Sequence, residues 1–227
     1  MLMKISYWID YNCPYCYIGI TRLNKAINEL KLDDVKMDTH AFELDPNAPM
    51  TSDGTTLERF SQKYNLSLED AKKEIDKITQ WGLDEGLDMK YESCRFTNTR
   101  DAHRLSKLAI QSNNQEIMKR FNDLMFEAYF SKNLELADRK TLIDVATTAG
   151  LDEKEVNEVL DGDMFNNEVI LDERVAMDTG IRGVPYFIFN NRHVVPGALP
   201  TSEFINVLKK IKFEEEFSER MSSKFNE

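Results

Sequence analysis

The sequence predicts an α/β protein in which one sheet is assembled from both ends of the chain and a block of helices lies between its two parts. Three observations support this class. Residues 3–45 follow a strand–helix–strand pattern, the hydrophobic residues of segment 57–165 recur at helical spacing, and strand-like segments return after residue 183. A chain of 227 residues is also long enough to bury a sizeable core.

The opening segment alternates apolar and polar residues, with Ile5, Tyr7 and Ile9 on one face, and therefore predicts a first strand. Pro14 suits the first turn of the helix that follows, because its missing N–H would have no partner there. Apolar residues then recur near helical spacing up to Leu30, and residues 35–42 alternate again. A helical connection of this length makes the two strands parallel.

Turn-forming residues at 46–54 mark a boundary, after which the pattern is helical. Ser67, Asp138 and Asp152 are predicted helix caps, and Gly150 a helix end. The chain then continues with helix 166–178, strand 184–190, a turn at Asn190-Asn191, strand 193–197 and helix 201–212. The charged tail 214–227 is expected to fray or to extend this last helix. This order is typical of a thioredoxin-like fold interrupted by an all-helical insertion domain. We assign residues 1–48 and 166–227 to a discontinuous thioredoxin-like domain and 49–165 to the insertion.

The composition is that of a soluble globular protein, 41% hydrophobic and 30% charged. A formal net charge of −11 argues against nucleic acid or an anionic membrane as partner. The first ten residues are too polar for the apolar region of a signal peptide, and no apolar run has the length of a membrane span. We therefore expect the protein to be located in the cytoplasm. Structural disulfides are rare in that compartment.

Cys13 and Cys16 form a Cys-x-x-Cys pair between the first strand and its helix. The helix N-terminus stabilises a thiolate at Cys13, and Cys16 lies one turn along, close enough to resolve a mixed disulfide. A zinc site is the alternative, but zinc needs four ligands, and the only other candidates are Cys94 and three isolated histidines. The context favours a redox couple and predicts no metal. Cys94 is best interpreted as a small buried residue.

Residues 183–185 precede the late strand and allow two interpretations. Pro185 is tolerated at the first position of a strand as part of a simple turn. Alternatively, a cis Val184–Pro185 bond would leave the backbone of Val184 free to bind an extended substrate beside the cysteines. The residues alone leave both open.

Several motifs together resemble the DsbA-like thiol–disulfide oxidoreductases of the FrnE type, over essentially the whole chain. They are residues 10–19, 98–105, 126–130, 136–138, 183–185 and 195–198. The resemblance implies Cys13 as nucleophile, Cys16 as resolving cysteine and a cis Pro185 beside them. Pro14-Tyr15 is the dipeptide of glutaredoxins rather than the Pro-His of periplasmic DsbA. We expect Pro14, Tyr15 and Val184 to contact substrate, and His103 to border the substrate groove.

The predicted function is dithiol–disulfide exchange with polypeptide or low-molecular-weight thiol and disulfide substrates. No metal or organic cofactor is implied, and glutathione is kept open as a co-substrate. One alternative is a glutathione-dependent transferase or isomerase of the kappa or hydroxychromene-carboxylate isomerase type, although those relatives typically carry Ser in place of the nucleophilic cysteine. A non-enzymatic alternative is a redox-sensing, chaperone-like protein that binds polypeptides. The oligomeric state does not follow from the sequence.

Overall fold

The computed structural model describes residues 2–224, which contain one four-stranded sheet in the order β2–β1–β3–β4. Its strands are β1 (Met3–Ile9), β2 (Val35–Ala41), β3 (Tyr186–Phe189) and β4 (His193–Pro196). β1 and β2 are parallel, whereas β3 is antiparallel to both β1 and β4. The sheet thus joins the two ends of the chain, which confirms the predicted α/β class.

The helix α1 (Pro14–Glu29) connects β1 to β2, and the long α9 (Thr201–Lys224) follows β4. Seven α-helices lie between β2 and β3 within the described residues: α2 (Thr56–Tyr64), α3 (Leu68–Asp84), α4 (Arg100–Gln111), α5 (Gln115–Phe130), α6 (Arg139–Ala149), α7 (Glu153–Asp161) and α8 (Asn166–Asp178). The domain boundaries proposed at residues 48–49 and 165–166 stay predictions. The ends assigned to residues 1 and 227 lie outside the described part.

Helix ends follow the local chemistry of the chain. Ser67 accepts a hydrogen bond from the Asp70 amide at 3.0 Å, and Asp138 accepts one from the Thr141 amide at 2.8 Å, so each caps its helix as predicted. Gly150 ends α6 with a φ of 109°, a left-handed conformation that suits glycine. The predicted caps and stop are therefore confirmed.

One predicted boundary differs from the structure. β3 begins at Tyr186 rather than Val184, because Pro185 has no N–H to donate to a strand ladder. The last helix continues to Lys224, so of the two expectations for the charged tail the extension of the helix is confirmed for the described residues. Residues 213–224 contain neither Pro nor Gly, so nothing in the sequence interrupts the helix there.

The sheet is covered on both faces. Ile5, Tyr7 and Ile9 lie in the main core, which they share with buried residues of α1, α5 and α9. Trp8 points to the opposite face and packs with Ala176 of α8 and with Ile181. The β1 end that leads into the cysteine pair is therefore held from both sides.

Within residues 2–224, no helix is long and apolar enough to cross a membrane.

Candidate active site

Cys13 is the N-cap residue of α1, as its spacing predicts. Its backbone is extended, with φ −91° and ψ 114°, and Pro14 occupies the first helical turn. The Cys13 amide donates to the Asp10 carbonyl at 3.0 Å, which forms the turn out of β1, and the Cys16 amide donates to the Cys13 carbonyl at 3.1 Å. The Cys13 sulfur therefore lies at the positive end of the helix dipole.

The two thiols of the pair are not joined, and they differ in environment. The side chain of Cys13 is 3% exposed and borders a cleft, while Cys16 is completely buried behind it. Burial raises the pKa of Cys16 well above its ordinary value, and the neighbouring Cys13 sulfur raises it further. Cys16 is thus a protonated thiol at neutral pH.

The loop before β3 meets the cysteine pair. The Val184–Pro185 bond is cis, as the resemblance implies, while substrate binding by the Val184 backbone stays a prediction. The Cys13 thiol donates to the Val184 carbonyl at 3.5 Å. On the other side of the loop, a Cβ built on Gly19 would lie 2.9 Å from Cγ of Pro185. The absence of a side chain at Gly19 lets the loop approach α1 this closely, a role that the sequence reasoning missed.

Cys13 opens into a cleft of about 440 Å³ between α1, α2 and the loop before β3. This volume is in the range of sites for small ligands, about 300–1,000 Å³. Of the predicted site residues, the cleft brings together Cys13, Pro14, Tyr15 and Val184. Its far wall is largely aromatic and was not predicted; it is formed by Phe60, Tyr64, Tyr91, Phe96 and Tyr129.

Two cations of α2 also line the cleft. The Arg59 guanidinium lies 3.3 Å from the centre of the Phe96 ring and pairs with Asp45 at 2.9 Å. Lys63 has no ion pair among the described residues and is exposed. The sequence signal for this wall is weak, because an aromatic residue at helical spacing more often marks a core than a binding surface.

Asn12 precedes the nucleophile candidate and is another residue that the sequence reasoning missed. Its side-chain amide donates to the Thr97 carbonyl at 2.8 Å, and the residue lines the cleft. Its Oδ1 is buried and accepts no hydrogen bond within the described part of the chain. An acceptor of this kind is available to an N–H group of a bound molecule.

His103 lies elsewhere than expected. It is fully buried on α4 and does not line the cleft, so it cannot contact a substrate held there. Its ring packs on Tyr11 with the centroids 5.0 Å apart, and its Nε2 is 3.6 Å from Oδ1 of Asp10. The inward-facing side of α4 is buried against α5, α8 and β2, which explains why His103 lies in the interior rather than in the cleft.

Cys94 is fully buried, which confirms its interpretation as a small buried residue. Burial raises its pKa to about 12. Among the described residues there is no group of three or more His, Cys, Asp or Glu side chains that could hold a metal ion.

The sequence pattern of the DSBA-like thioredoxin domain family matches residues 4–209. The chain belongs to this family. A protein of known structure, a probable DsbA oxidoreductase from Streptomyces coelicolor, is 31% identical, with a TM-score of 0.84 over 92% of this chain and 89% of that one. The predicted thioredoxin-like fold is thereby confirmed.

Two further proteins are similar over most of their length. The uncharacterised protein YwbO of Bacillus subtilis is 23% identical over 207 residues, which cover 87% of this chain and 92% of that protein. The cytosolic disulfide reductase DsbM of Pseudomonas aeruginosa, solved with GSH, shares the fold with a TM-score of 0.59 at 17% identity, over 96% of this chain and 99% of that one.

Proposed function

We propose that this member of the DsbA-like family is a thiol–disulfide oxidoreductase of the FrnE type that works through Cys13 and Cys16. One observation carries the proposal. The Cys13 sulfur sits at the N-terminus of α1 and faces a cleft, while Cys16 is sealed behind it. One thiol is thus placed to meet a substrate and the other to meet only its partner.

The reaction consists of two exchanges at sulfur. The Cys13 thiolate attacks a substrate disulfide, forms a mixed disulfide and releases one substrate sulfur as a thiolate. The Cys16 thiol then loses its proton and attacks the Cys13 sulfur, which closes the internal disulfide and releases the second substrate sulfur. Two electrons pass from the protein dithiol to the substrate disulfide. The same steps in reverse oxidise a substrate dithiol.

The two cysteines have different roles because Cys13 lies at the N-terminus of α1 whereas Cys16 is buried behind it. Cys13 lies at the N-terminus of α1 and lines the cleft, so Cys13 is the thiol that meets a substrate disulfide and acts as the nucleophile. The raised pKa of Cys16 keeps its proton in place until a mixed disulfide has formed. This asymmetry lets substrate bind before the second thiol reacts.

The shape of the cleft limits which substrates can react. Because Cys13 is only 3% exposed, a disulfide must enter the cleft to reach it, which a small molecule or an extended polypeptide segment can do. Pro14, Tyr15 and Val184 form one wall, and the free Oδ1 of Asn12 is an acceptor for a substrate N–H. Lys63 supplies a cation that suits a carboxylate.

Glutathione is a suitable low-molecular-weight substrate on these grounds, since it carries amide N–H groups, carboxylates and a thiol. The similarity in fold to the DsbM structure solved with GSH supports the choice. No metal or organic cofactor is required for the exchange. We place the reaction in the cytoplasm and expect the redox couple to be recycled there.

The two alternatives make different demands on Cys13. A transferase or isomerase of the kappa or hydroxychromene-carboxylate type would not need a thiol at this position, and a chaperone-like protein would bind unfolded chains without exchanging electrons.

Cys13→Ser should abolish insulin reduction and disulfide transfer, while Cys16→Ser should trap a mixed disulfide with substrate that is visible by mass. Full activity of Cys13→Ser would contradict the proposal, and retained holdase activity alone would favour the chaperone.

A redox titration against glutathione decides the direction of electron flow. A couple near −270 to −200 mV, about the range of thioredoxin and glutaredoxins, would make the protein a reductant, and one near −120 mV, about that of DsbA, an oxidant. The absence of a two-electron couple between Cys13 and Cys16 would overturn the proposed function.

A further inference from the structure

The cleft is flanked by a rim of exposed aromatic side chains, formed by Tyr15, Tyr64 and Trp81. Tyr15 and Trp81 are each 38% exposed, and Tyr64 is 54% exposed. The ring of Tyr15, which stands between the two cysteines in sequence, is 6.1 Å from the ring of Trp81 on α3. Tyr and Trp supply large contact areas and are enriched at binding surfaces. The rim therefore offers an apolar surface directly beside Cys13.

Two lysines at the rim differ from the other basic residues around them. Segment 55–95 contains seven Lys and Arg residues, and five of them pair with a carboxylate: Arg59, Lys72, Lys73, Lys90 and Arg95. Lys63 and Lys77 form no ion pair within residues 2–224. Nζ of Lys63 instead lies 5.6 Å from the centre of the Tyr64 ring, and Nζ of Lys77 lies 5.7 Å from that of Trp81. Each unpaired cation thus stands beside an aromatic ring of the rim.

The charge of the rim is opposite to that of the whole chain. With a formal net charge of −11, most of the surface repels an acidic molecule. Burial raises the pKa of the Tyr15 phenol, and Glu74 is among the neighbours that raise it further, so this carboxylate lies near the rim. Asp45, which lines the cleft, is neutralised by Arg59. Two unpaired cations therefore outnumber the one unpaired carboxylate, and the rim is the place where an acidic molecule is accepted.

The rim also extends beyond the cleft. Lys63 and Tyr64 line the cleft, whereas Lys77 and Trp81 are not among its lining residues. A molecule that only fills the 440 Å³ cleft leaves this second cation and ring bare. A chain that enters at Cys13 and continues outward along Tyr15 reaches both. A polypeptide segment has the required length and combines carboxylates with apolar side chains.

We propose that the rim selects acidic polypeptide substrates. A disulfide-bearing segment enters the cleft at Cys13, and Asp or Glu side chains next to its cysteine pair with Lys63 and Lys77. Apolar side chains of the same segment pack on Tyr15 and Trp81. This inference rests on the proposed function and names the substrate class of the same site.

The exchange itself is the one described above, and its electrons balance. The reduced protein gives up two electrons and closes the disulfide between Cys13 and Cys16. The polypeptide disulfide takes up the two electrons and separates into two thiols. The rim residues take no part in these bonds; they bind the chain on either side of the reacting sulfur. Exposed cations act mainly on the rate of encounter, and salt screens them, so selection should appear in the second-order rate constant and weaken as salt is added.

Three synthetic peptides of equal length test the inference in the unsubstituted protein. Each carries one cysteine in a disulfide with 2-mercaptoethanol, flanked on both sides by Glu, by Gln or by Lys. The reduced protein is mixed with each peptide, and release of the peptide thiol is followed by mass. Division by the rate with dithiothreitol removes the intrinsic effect of the flanking charges on the disulfide. At low ionic strength we expect the Glu peptide to react about tenfold faster than the Gln peptide, and the Lys peptide more slowly than either.

The rate ratio of the Glu peptide to the Gln peptide then measures what each rim residue contributes. Lys63→Gln and Lys77→Gln should each lower this ratio about threefold, the size of an exposed charge interaction. Glu74→Gln should raise it, because a competing carboxylate is removed. Lys154→Gln is the matched control and should leave the ratio unchanged, since Lys154 is exposed on α7, a helix with no residue among those lining the cleft.

The outcomes separate this inference from the proposed function. Equal normalised rates for the three peptides at low ionic strength would overturn the inference and leave the proposed function standing. A ratio that falls with Lys63→Gln but not with Lys77→Gln would also overturn it, because the anion would then bind inside the cleft, where a small molecule fits. No reaction with any of the peptides or with oxidised glutathione would instead refute the proposed function, and this inference with it.

Discussion

The Arg22 guanidinium donates a hydrogen bond to Oε1 of Glu85 at 2.7 Å and so joins the helix that carries the cysteine pair to the end of α3. The same side chain donates to the Ala198 carbonyl at 2.9 Å, between β4 and α9. Lys25 reaches the second oxygen of Glu85 at 2.6 Å. One carboxylate therefore connects α1 to the C-terminal end of α3, a helix that lines the cleft through Ile78.

Replacing Glu85 should weaken this connection. The Arg22 and Glu85 side chains are 15% and 14% exposed, so their charge-assisted hydrogen bond is partly protected from solvent. We expect Glu85→Gln to lower the free energy of unfolding by about 1.5 kcal/mol, measured by urea denaturation at pH 7. Asp76→Asn, which removes the exposed Lys72–Asp76 pair, is the control and should have no measurable effect.

The contribution of Glu85 should also depend on pH with a definite sign. Partial burial raises the pKa of this carboxyl, but Lys25 and Arg22 outweigh it, so the folded-state pKa is below the ordinary value. The contribution of ionised Glu85 to the free energy of unfolding is fully present above the unfolded-state pKa of the carboxyl. It is lost as the pH falls through the lowered folded-state pKa. A difference between Glu85→Gln and the unsubstituted protein that grows toward acid pH would contradict this assignment.

Gly19→Ala should disturb the loop that faces Cys13. The new methyl group would lie 2.9 Å from Cγ of Pro185, closer than packed atoms allow, and 3.3 Å from the backbone of Ala198, a tight contact. We expect a loss of about 1–3 kcal/mol in urea denaturation, as for other overpacked sites, together with slower reduction of insulin. Gly183→Ala is the control for stability, because a Cβ there meets nothing within 4 Å. Equal stability of the two variants would show that the loop moves aside freely.

The three cysteines should differ in their reaction with iodoacetamide. Cys13 borders the cleft and should be alkylated first in the native protein at pH 8, as followed by peptide mass. Burial raises the pKa of Cys94 to about 12, and Asn133 donates to its sulfur at 3.2 Å, so Cys94 should react only after unfolding. Modification of Cys94 at the same rate as Cys13 would show that its enclosure opens readily.

Because of Glu43, the free energy of unfolding should decrease as the pH rises from weakly acidic to weakly basic values. Burial, then a hydrogen bond with Glu173, raises its pKa to about 8, although Arg100 opposes the shift. Because the folded-state pKa is raised, its contribution is fully present below the unfolded-state pKa of about 4.3 and is lost as the pH rises through 8.

Glu43→Gln removes this titration. Its melting temperature, relative to the unsubstituted protein, should therefore increase from pH 5 to pH 8. Glu116→Gln, at an exposed position of α5, is the matched control and should show no such trend. A parallel pH dependence in both variants would mean that Glu43 is already ionised in the folded protein.

Much of this protein could be predicted from the sequence because the relevant signals are local. Alternation in β1, the proline after Cys13 and the caps at Ser67 and Asp138 each depend on residues a few positions apart, and each is confirmed. The position of Cys13 at a helix end likewise follows from its place between a strand and a helical pattern. The order of strands and helices was then sufficient to indicate the fold.

The tertiary structure decided which distant residues meet. His103 has the spacing of a buried helical residue, but only the packing of α4 against β2, α5 and α8 brings it within 3.6 Å of Asp10 rather than into the cleft. The aromatic wall of the cleft and the approach of Pro185 to Gly19 likewise join segments far apart in the chain. Hydrophobic burial is not directional, so a pattern tells which face is covered without telling what covers it. The sequence by itself determined the cysteine pair and its helix; the folded chain determined the surroundings in which the pair can react.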